Sequence, residues 1–228
     1  MRNKTNAEAP GLPARSDAQT RAAPRTARPS APAPAARPRP NVARASHEVR
    51  IIGGMWKRSK LKVADKPGLR PTPDRVRETL FNWLGQDLGQ WRCLDAFAGT
   101  GALGLEAASR GAAAVLLVES EGALVAQLEK VVQQWGAHAV RVQRGDGVHC
   151  LRQCAGASHE LVFLDPPFDA PLFEPALQAV ARVLVATGWV YLEAPVRWTD
   201  AQLAPFGLRV HRHLRAGAVH AHLLCLVS

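Results

Sequence analysis

Between positions 92 and 193 short apolar runs alternate with amphipathic stretches, and that alternation leaves few folds open to the chain. Segments 92–97, 114–119, 139–143, 161–165 and 189–193 read as strands. Between them lie a helix over 102–110 stopped by Gly111, a second marked by Leu124, Val125, Leu128, Val131, Val132 and Trp135, a short one over 147–154, and a fourth over 171–186. Strands separated by helices close through right-handed crossovers into a parallel sheet. Two more strands, near 207–214 and 218–227, meet at Ala216-Gly217 and predict an antiparallel hairpin. The expected architecture is therefore α/β and Rossmann-like: a mostly parallel seven-stranded sheet with an antiparallel edge hairpin and helices on both faces.

A chain of 228 residues accommodates one such domain with flanking segments. Residues 1–45 are dominated by Ala, Pro, Arg and Ser, too poor in large apolar side chains to offset the entropy of ordering, and read as a disordered tail. Residues 46–90 read as a basic N-terminal extension and helix, and 91–228 as the core. In the extension, 49–52 has strand character, Gly53-Gly54 is a turn, and 56–63 a basic ribbon. Thr72 stands where it could cap a helix that begins at Pro73. Val76, Leu80, Phe81, Trp83 and Leu84 form that helix's apolar stripe, leaving Arg75 and Arg77 outside it.

The formal charge of +10 is unevenly spread: residues 1–45 carry +7, 46–78 carry +5, and the remainder −2. A near-neutral core joined to a basic leader suits an anionic partner. Arg50, Lys57, Arg58, Lys60, Lys62, Arg75 and Arg77 are the expected nucleic-acid contacts. Cys93, Cys150, Cys154 and Cys225 include no CxxC pair, which indicates neither a zinc ribbon nor a disulfide framework and fits a reducing cytoplasm. No apolar run reaches the roughly 20 residues of a membrane span, and nothing suggests an oligomeric interface, so a cytoplasmic monomer is expected.

The first core strand runs into Asp95-Ala96-Phe97-Ala98-Gly99-Thr100-Gly101-Ala102-Leu103-Gly104. A strand, a glycine turn and a helix bring backbone N–H groups against a ligand, a device shared by dinucleotides and S-adenosylmethionine. Glu119, ending the second strand, suits ribose hydroxyls and does not discriminate. Asp95 does: a carboxylate beside the glycine turn repels a pyrophosphate and suits an ammonium and a sulfonium. Asp146, after the third strand, can accept from an adenine amino group. Phe97, Gly99, Thr100 and Gly101 complete the expected cofactor site.

The fourth strand delivers Asp165-Pro166-Pro167-Phe168. Two prolines fix φ and remove two N–H donors, so the segment offers a carboxylate and carbonyl oxygens and almost nothing else. Such an acceptor-only rim fits an NH₂ group. Two acceptors, the Asp165 carboxylate and the Pro166 carbonyl, can grip both hydrogens of a conjugated amine and turn its lone pair toward an electrophilic methyl, while Phe168 stacks on the extruded base.

With these motifs in view, residues 49–228 resemble the RsmD family of bacterial 16S ribosomal RNA guanine-N2 methyltransferases. The resemblance rests on Arg50-Ile51-Ile52-Gly53-Gly54, on Gly68-Leu69-Arg70-Pro71-Thr72, on Asp74-Arg75-Val76-Arg77-Glu78-Thr79-Leu80-Phe81-Asn82-Trp83-Leu84, on the Asp95-to-Gly104 segment and on Asp165-Pro166-Pro167-Phe168. It implies a class I methyltransferase fold, S-adenosylmethionine as methyl donor, and one methyl added to a guanine N2 of 16S ribosomal RNA in a largely assembled small ribosomal subunit. It also implies that Arg70, Thr72 and Arg75 lie beside the cofactor and substrate entrance. The chain departs from the family at Trp56-Lys57-Arg58-Ser59-Lys60, where a more glycine-containing turn is usual, and in its 45-residue tail.

Asp-Pro-Pro-aromatic motifs also serve amino-group methyltransferases acting on DNA adenine or protein glutamine, and a non-catalytic ribosome-assembly factor could retain a vestigial pocket. The basic block at 46–78 favours nucleic acid over protein, and the intact motif favours catalysis. His211, His213, His220 and His222 form two H-x-H pairs on the expected hairpin. With no Cys or acid among them no metal site is assigned; a polar hairpin face or RNA contact is expected instead.

Overall fold

The computed structural model describes residues 48–63 and 72–227. The expected tail, Arg70 and the Gly68–Pro71 part of the family motif lie outside the described residues.

Two short strands, β1 (Glu48–Arg50) and β2 (Lys60–Lys62), pair antiparallel and precede helix α1 (Asp74–Leu84). The core then runs β3 (Arg92–Asp95), α2 (Ala102–Ser109), β4 (Ala114–Glu119), α3 (Gly122–Gln134), β5 (Val140–Arg144), α4 (Gly147–Gln153), β6 (His159–Leu164), α5 (Phe173–Val180), β7 (Leu184–Ala194), α6 (Asp200–Leu203), β8 (Leu208–Ala216) and β9 (Val219–Leu226). The seven-stranded sheet has the order β5-β4-β3-β6-β7-β9-β8. Strands β3 to β7 pair parallel, and β9 and β8 add antiparallel at one edge. The order reverses between β3 and β6, and in open sheets of this kind ligands bind at that switch point, beyond the carboxyl ends of the strands.

Alternation along the strands gives each sheet face its own core. Leu105, Leu117, Leu128 and Phe163 join residues of α1, α2 and α3 on one face. Leu94, Val162, Leu164 and Leu192 join residues of α4, α5 and α6 on the other.

The extension is bolted onto α2 by buried polar groups. Glu106, with no solvent exposure, accepts from the backbone N–H of Ile52 (2.7 Å) and Gly53 (2.8 Å) and pairs with Arg110 (2.8 Å). Ser109 Oγ donates to the Gly53 carbonyl (2.6 Å) and accepts from Trp56 N–H (2.9 Å). A Cβ on Gly54 would stand 1.8 Å from the Ser109 carbonyl oxygen, so the Gly-Gly pair is a requirement of this close approach. At the departure from the family's turn, Arg58 itself takes a left-handed φ of 72°.

Three local expectations are corrected, and one further helix is found. Thr72 does not cap α1: Pro73 is the N-cap residue, and no side-chain cap bond forms. The fourth core helix ends at Val180 in a 3-10 turn over Ala181–Val183, and β7 begins at Leu184, where β-branched Val185 and Thr187 favour extended chain and Leu184 pairs with His159. Helix α6, its start closed by a capping box between Thr199 and Gln202, was not foreseen, being a single turn without periodicity. Arg77 lies in the buried stripe of α1 with Val76, Leu80 and Phe81. Its guanidinium survives there by donating to the carbonyls of Arg50 and Thr72 and to Asp74 (2.9 Å).

Candidate active site

The carboxyl ends of β3, β4, β6 and β7 open onto a cavity of about 870 Å³. Its rear wall is the glycine turn after β3. Gly99 and Gly101 take φ of 51° and 78°, and at Gly101 a Cβ would lie 2.5 Å from Leu128 Cδ2. Across the cavity α4 starts so close to β3 that a Cβ on Gly147 would stand 2.0 Å from the Ala96 carbonyl oxygen. Sequence reasoning stopped at Asp146 and missed Gly147; a glycine at the first position of a helix was its only signal.

Glu119 faces the cavity with its geometry set by backbone: Oε2 accepts from Gly99 N–H (2.9 Å) and Oε1 from Glu121 N–H (2.8 Å). Asp146 caps α4 through His149 N–H (2.6 Å) and also lines the cavity, as do Phe97, Thr100 and Thr72. Asp95 behaves otherwise. It is buried beneath the turn, outside the cavity lining, where Oδ2 accepts from Gly104 N–H (3.1 Å) and Oδ1 has no partner. Burial pushes its pKa up to about 7, against the pull of the Gly104 N–H. Asp95 thus ties β3 to α2 from beneath the turn.

Asp165, Pro166, Pro167 and Phe168 form the front rim, with Phe168 41% exposed. Asp165 has a neighbour the sequence reading overlooked. Leu164 pairs with Leu192, so the next residues, Asp165 and Glu193, leave adjacent strand ends together, and both line the cavity. Strand-end position, which singled out Glu119 and Asp165, would have flagged Glu193 too. Glu193 is buried, accepts from Tyr191 Oη–H (2.7 Å) and is hydrogen-bonded to the Thr72 side chain. Burial raises both carboxyls. For Asp165 the charges of Glu193 and Asp95 raise it further, whereas Thr72, Tyr191 and Arg77 draw Glu193 back down. Asp165 is therefore the more basic carboxyl of the pair.

Six carboxylates line the cavity (Glu119, Glu121, Asp146, Asp165, Asp169 and Glu193), and the described lining includes no Lys, Arg or His. Such a wall opposes phosphate groups and favours a ligand carrying positive charge.

Of the expected nucleic-acid contacts, Arg50, Lys57, Arg58, Lys60, Lys62 and Arg75 are exposed, Lys60 in an ion pair with Glu48 (2.7 Å). Arg77, fully buried and bonded to backbone carbonyls, is removed from that set.

A family described as conserved hypothetical protein 95 matches residues 49–225. "Ribosomal RNA small subunit methyltransferase D" of Escherichia coli strain K12 is 43% identical over 180 residues, covering 76% of this chain and 88% of that protein. A solved Escherichia coli protein described as a candidate methyltransferase, yhhF, superposes with a TM-score of 0.68 at 41% identity, covering 79% of this chain and 99% of that one. A candidate methylase of Haemophilus influenzae superposes with a TM-score of 0.65 at 32% identity, covering 79% and 99%. The sheet order is that of a Rossmann-like methyltransferase, the acid-lined cleft sits at its switch point, and on this evidence the chain belongs to the RsmD family, the one described as conserved hypothetical protein 95.

Proposed function

We propose that this protein transfers a methyl group from S-adenosylmethionine to the exocyclic N2 amine of a guanine in 16S ribosomal RNA of the small ribosomal subunit. The observation that carries the reading is the cavity wall: six carboxylates, no described cation, and a donor-poor Asp-Pro-Pro rim at its mouth. The family relative acting on small-subunit ribosomal RNA supports the substrate class.

The residues present fit the donor. The glycine turn after β3 presents backbone to the cavity, Glu119 offers remaining lone pairs to ribose hydroxyls, and the acid wall suits a cation. When bound, S-adenosylmethionine supplies an electrophilic methyl on a sulfonium whose sulfur leaves as a neutral thioether. The chain's part is to hold the amine. Asp165 and the Pro166 carbonyl accept its two hydrogens, which loosens the nitrogen lone pair from the purine ring and aims it along the transfer axis. As the N–C bond forms, the amine's surplus proton passes to the Asp165 carboxylate, which burial and the Glu193 charge make a stronger base than an ordinary aspartate. Phe168 stacks on the base, a contact worth ~1–3 kcal/mol.

The test is transfer of labelled methyl to small subunits that lack the modification. Wild type should label a single guanine of the 16S RNA, and Asp165→Ala should lose at least a hundredfold in rate while binding the cofactor within a few-fold of wild type. Label appearing on DNA or protein in place of subunits would overturn the substrate, and full activity in Asp165→Ala would overturn the mechanism.

A further inference from the structure

We infer that one face of the C-terminal hairpin, bearing His213, Arg215 and His220 and flanked by Arg197 and Trp198, is a track for the single-stranded RNA next to the target nucleotide. The inference rests on the proposed substrate.

Charge is the first ground. Residues 79–194 hold seven basic and twelve acidic side chains, whereas 195–228 hold four arginines against Asp200 alone. That carboxylate is already engaged by Val210 N–H (2.7 Å). A catalytic body that repels a polyanion thus ends in a segment that attracts one, and Arg197 and Arg215 are exposed.

Continuity with the cleft is the second. Phe168, on the cleft rim, lies 6.3 Å from Phe173, which lies 6.4 Å from Trp198. The Trp198 backbone N–H donates to His222 Nε2 (3.1 Å), which lays Arg197-Trp198 against the hairpin. Register places His213 beside His222 and Arg215 beside His220, all on one face. The rings of His213 and His220 stack at 5.2 Å and 20°, sharing an Nε2···Nδ1 hydrogen bond of 2.9 Å. At the hairpin's tip Ala218 and Val219 line the cleft itself. Flat rings interleaved with guanidinium groups, beginning at the residue that would hold the flipped base, are what unpaired nucleotides recognise through stacking and phosphate contacts.

The histidines do not make a metal site. His222 has both ring nitrogens engaged, one by Trp198 N–H and one with the Leu192 carbonyl (3.3 Å). His213 and His220 each give one nitrogen to the other, leaving two free between them, fewer than a structural metal requires. Among the described residues no group of three or more His, Cys, Asp or Glu is arranged to hold an ion.

The test is the Arg197→Gln/Arg215→Gln double variant, which alters only exposed side chains. With unmodified small subunits as substrate, KM should rise roughly tenfold with kcat and S-adenosylmethionine affinity unchanged. The slope of log affinity for the RNA against log salt should fall by about 1.5, the loss of two phosphate contacts. His220→Ala should raise KM in the same sense at constant kcat. Wild-type KM and salt slope in the double variant would overturn the track while leaving the proposed function standing; no transfer to subunits by wild type would remove both. A zinc-dependent rise in melting temperature that His213→Ala abolishes would make the cluster a metal site and also overturn it.

Discussion

Asp165 and Asp95 are both strand-end carboxyls pushed upward by burial, yet only Asp165 lines the cavity, and the two answer to different measurements. Asp165 must be ionised to take a proton, and its pKa is raised. The rate should therefore fall as pH drops through a limb lying above the ordinary aspartate range, and Glu193→Gln, which removes the neighbouring charge, should move that limb to lower pH in single-turnover profiles. Asp95 reports on stability. Its folded pKa of about 7 exceeds its unfolded value near 3.8, so the folded state binds the extra proton between these limits and loses stability as pH rises through that window. Asp95→Asn does not titrate. Melting curves at pH 5 and pH 8 should show the variant gaining on wild type at the higher pH, by roughly 2–3 kcal/mol. Unchanged spacing between the two curves would mean Asp95 is ionised at little cost. Gly147→Ala drives a methyl into the Ala96 carbonyl, so β3 and α4 must part; cofactor affinity should drop more than tenfold by calorimetry while the sheet stays folded.

Helix α2 works in two directions. Its N-terminus, at Gly101, forms part of the cavity wall, and its C-terminal half holds the extension through Glu106, Ser109 and Arg110. Arg77 repeats the pattern on α1, tying the Arg50 carbonyl of β1 to the Thr72 carbonyl, and Thr72 reaches Glu193 beside the reacting centre. The exposed basic residues of β1 and β2 are thus set in place by buried charge. Glu106→Ala leaves Arg110 without its carboxylate partner and two backbone N–H groups without their acceptor, at a cost of about 3–5 kcal/mol. It should lower Tm by roughly 6–20 °C and open the Lys57-Arg58 turn to trypsin, with cleavage there preceding cleavage of the core. A native-like cleavage pattern would show that hydrophobic packing, including Trp56 against Trp135 at 5.5 Å, suffices to hold the extension.

At the scale of the whole molecule, the cleft is lined by acids, while along the sequence the basic excess falls before residue 79 and after residue 194. A ligand bound only by the folded state stabilises it by mass action. At a hundred times its dissociation constant S-adenosylmethionine should contribute about 2.7 kcal/mol, a rise in Tm of roughly 5–10 °C. NADH, whose pyrophosphate meets the carboxylate wall, should leave Tm unmoved.

Features set by local pattern were legible without coordinates. Strand and helix alternation determined the sheet, its parallel majority and the edge hairpin, because side-chain periodicity is decided within a few residues. The Asp95-to-Gly104 turn and the Asp-Pro-Pro-Phe rim were legible too, because glycine and proline restrict backbone geometry by themselves. What depended on residues far apart in the chain was not. Arg77 is buried because carbonyls 27 and 5 residues away face it, Asp95 lies under the turn because Gly104 N–H is there, and Glu193 belongs to the site because β7 pairs with β6. A side chain's charge is written in the sequence; whether it meets water, a ligand or a buried partner is settled by what the fold packs against it.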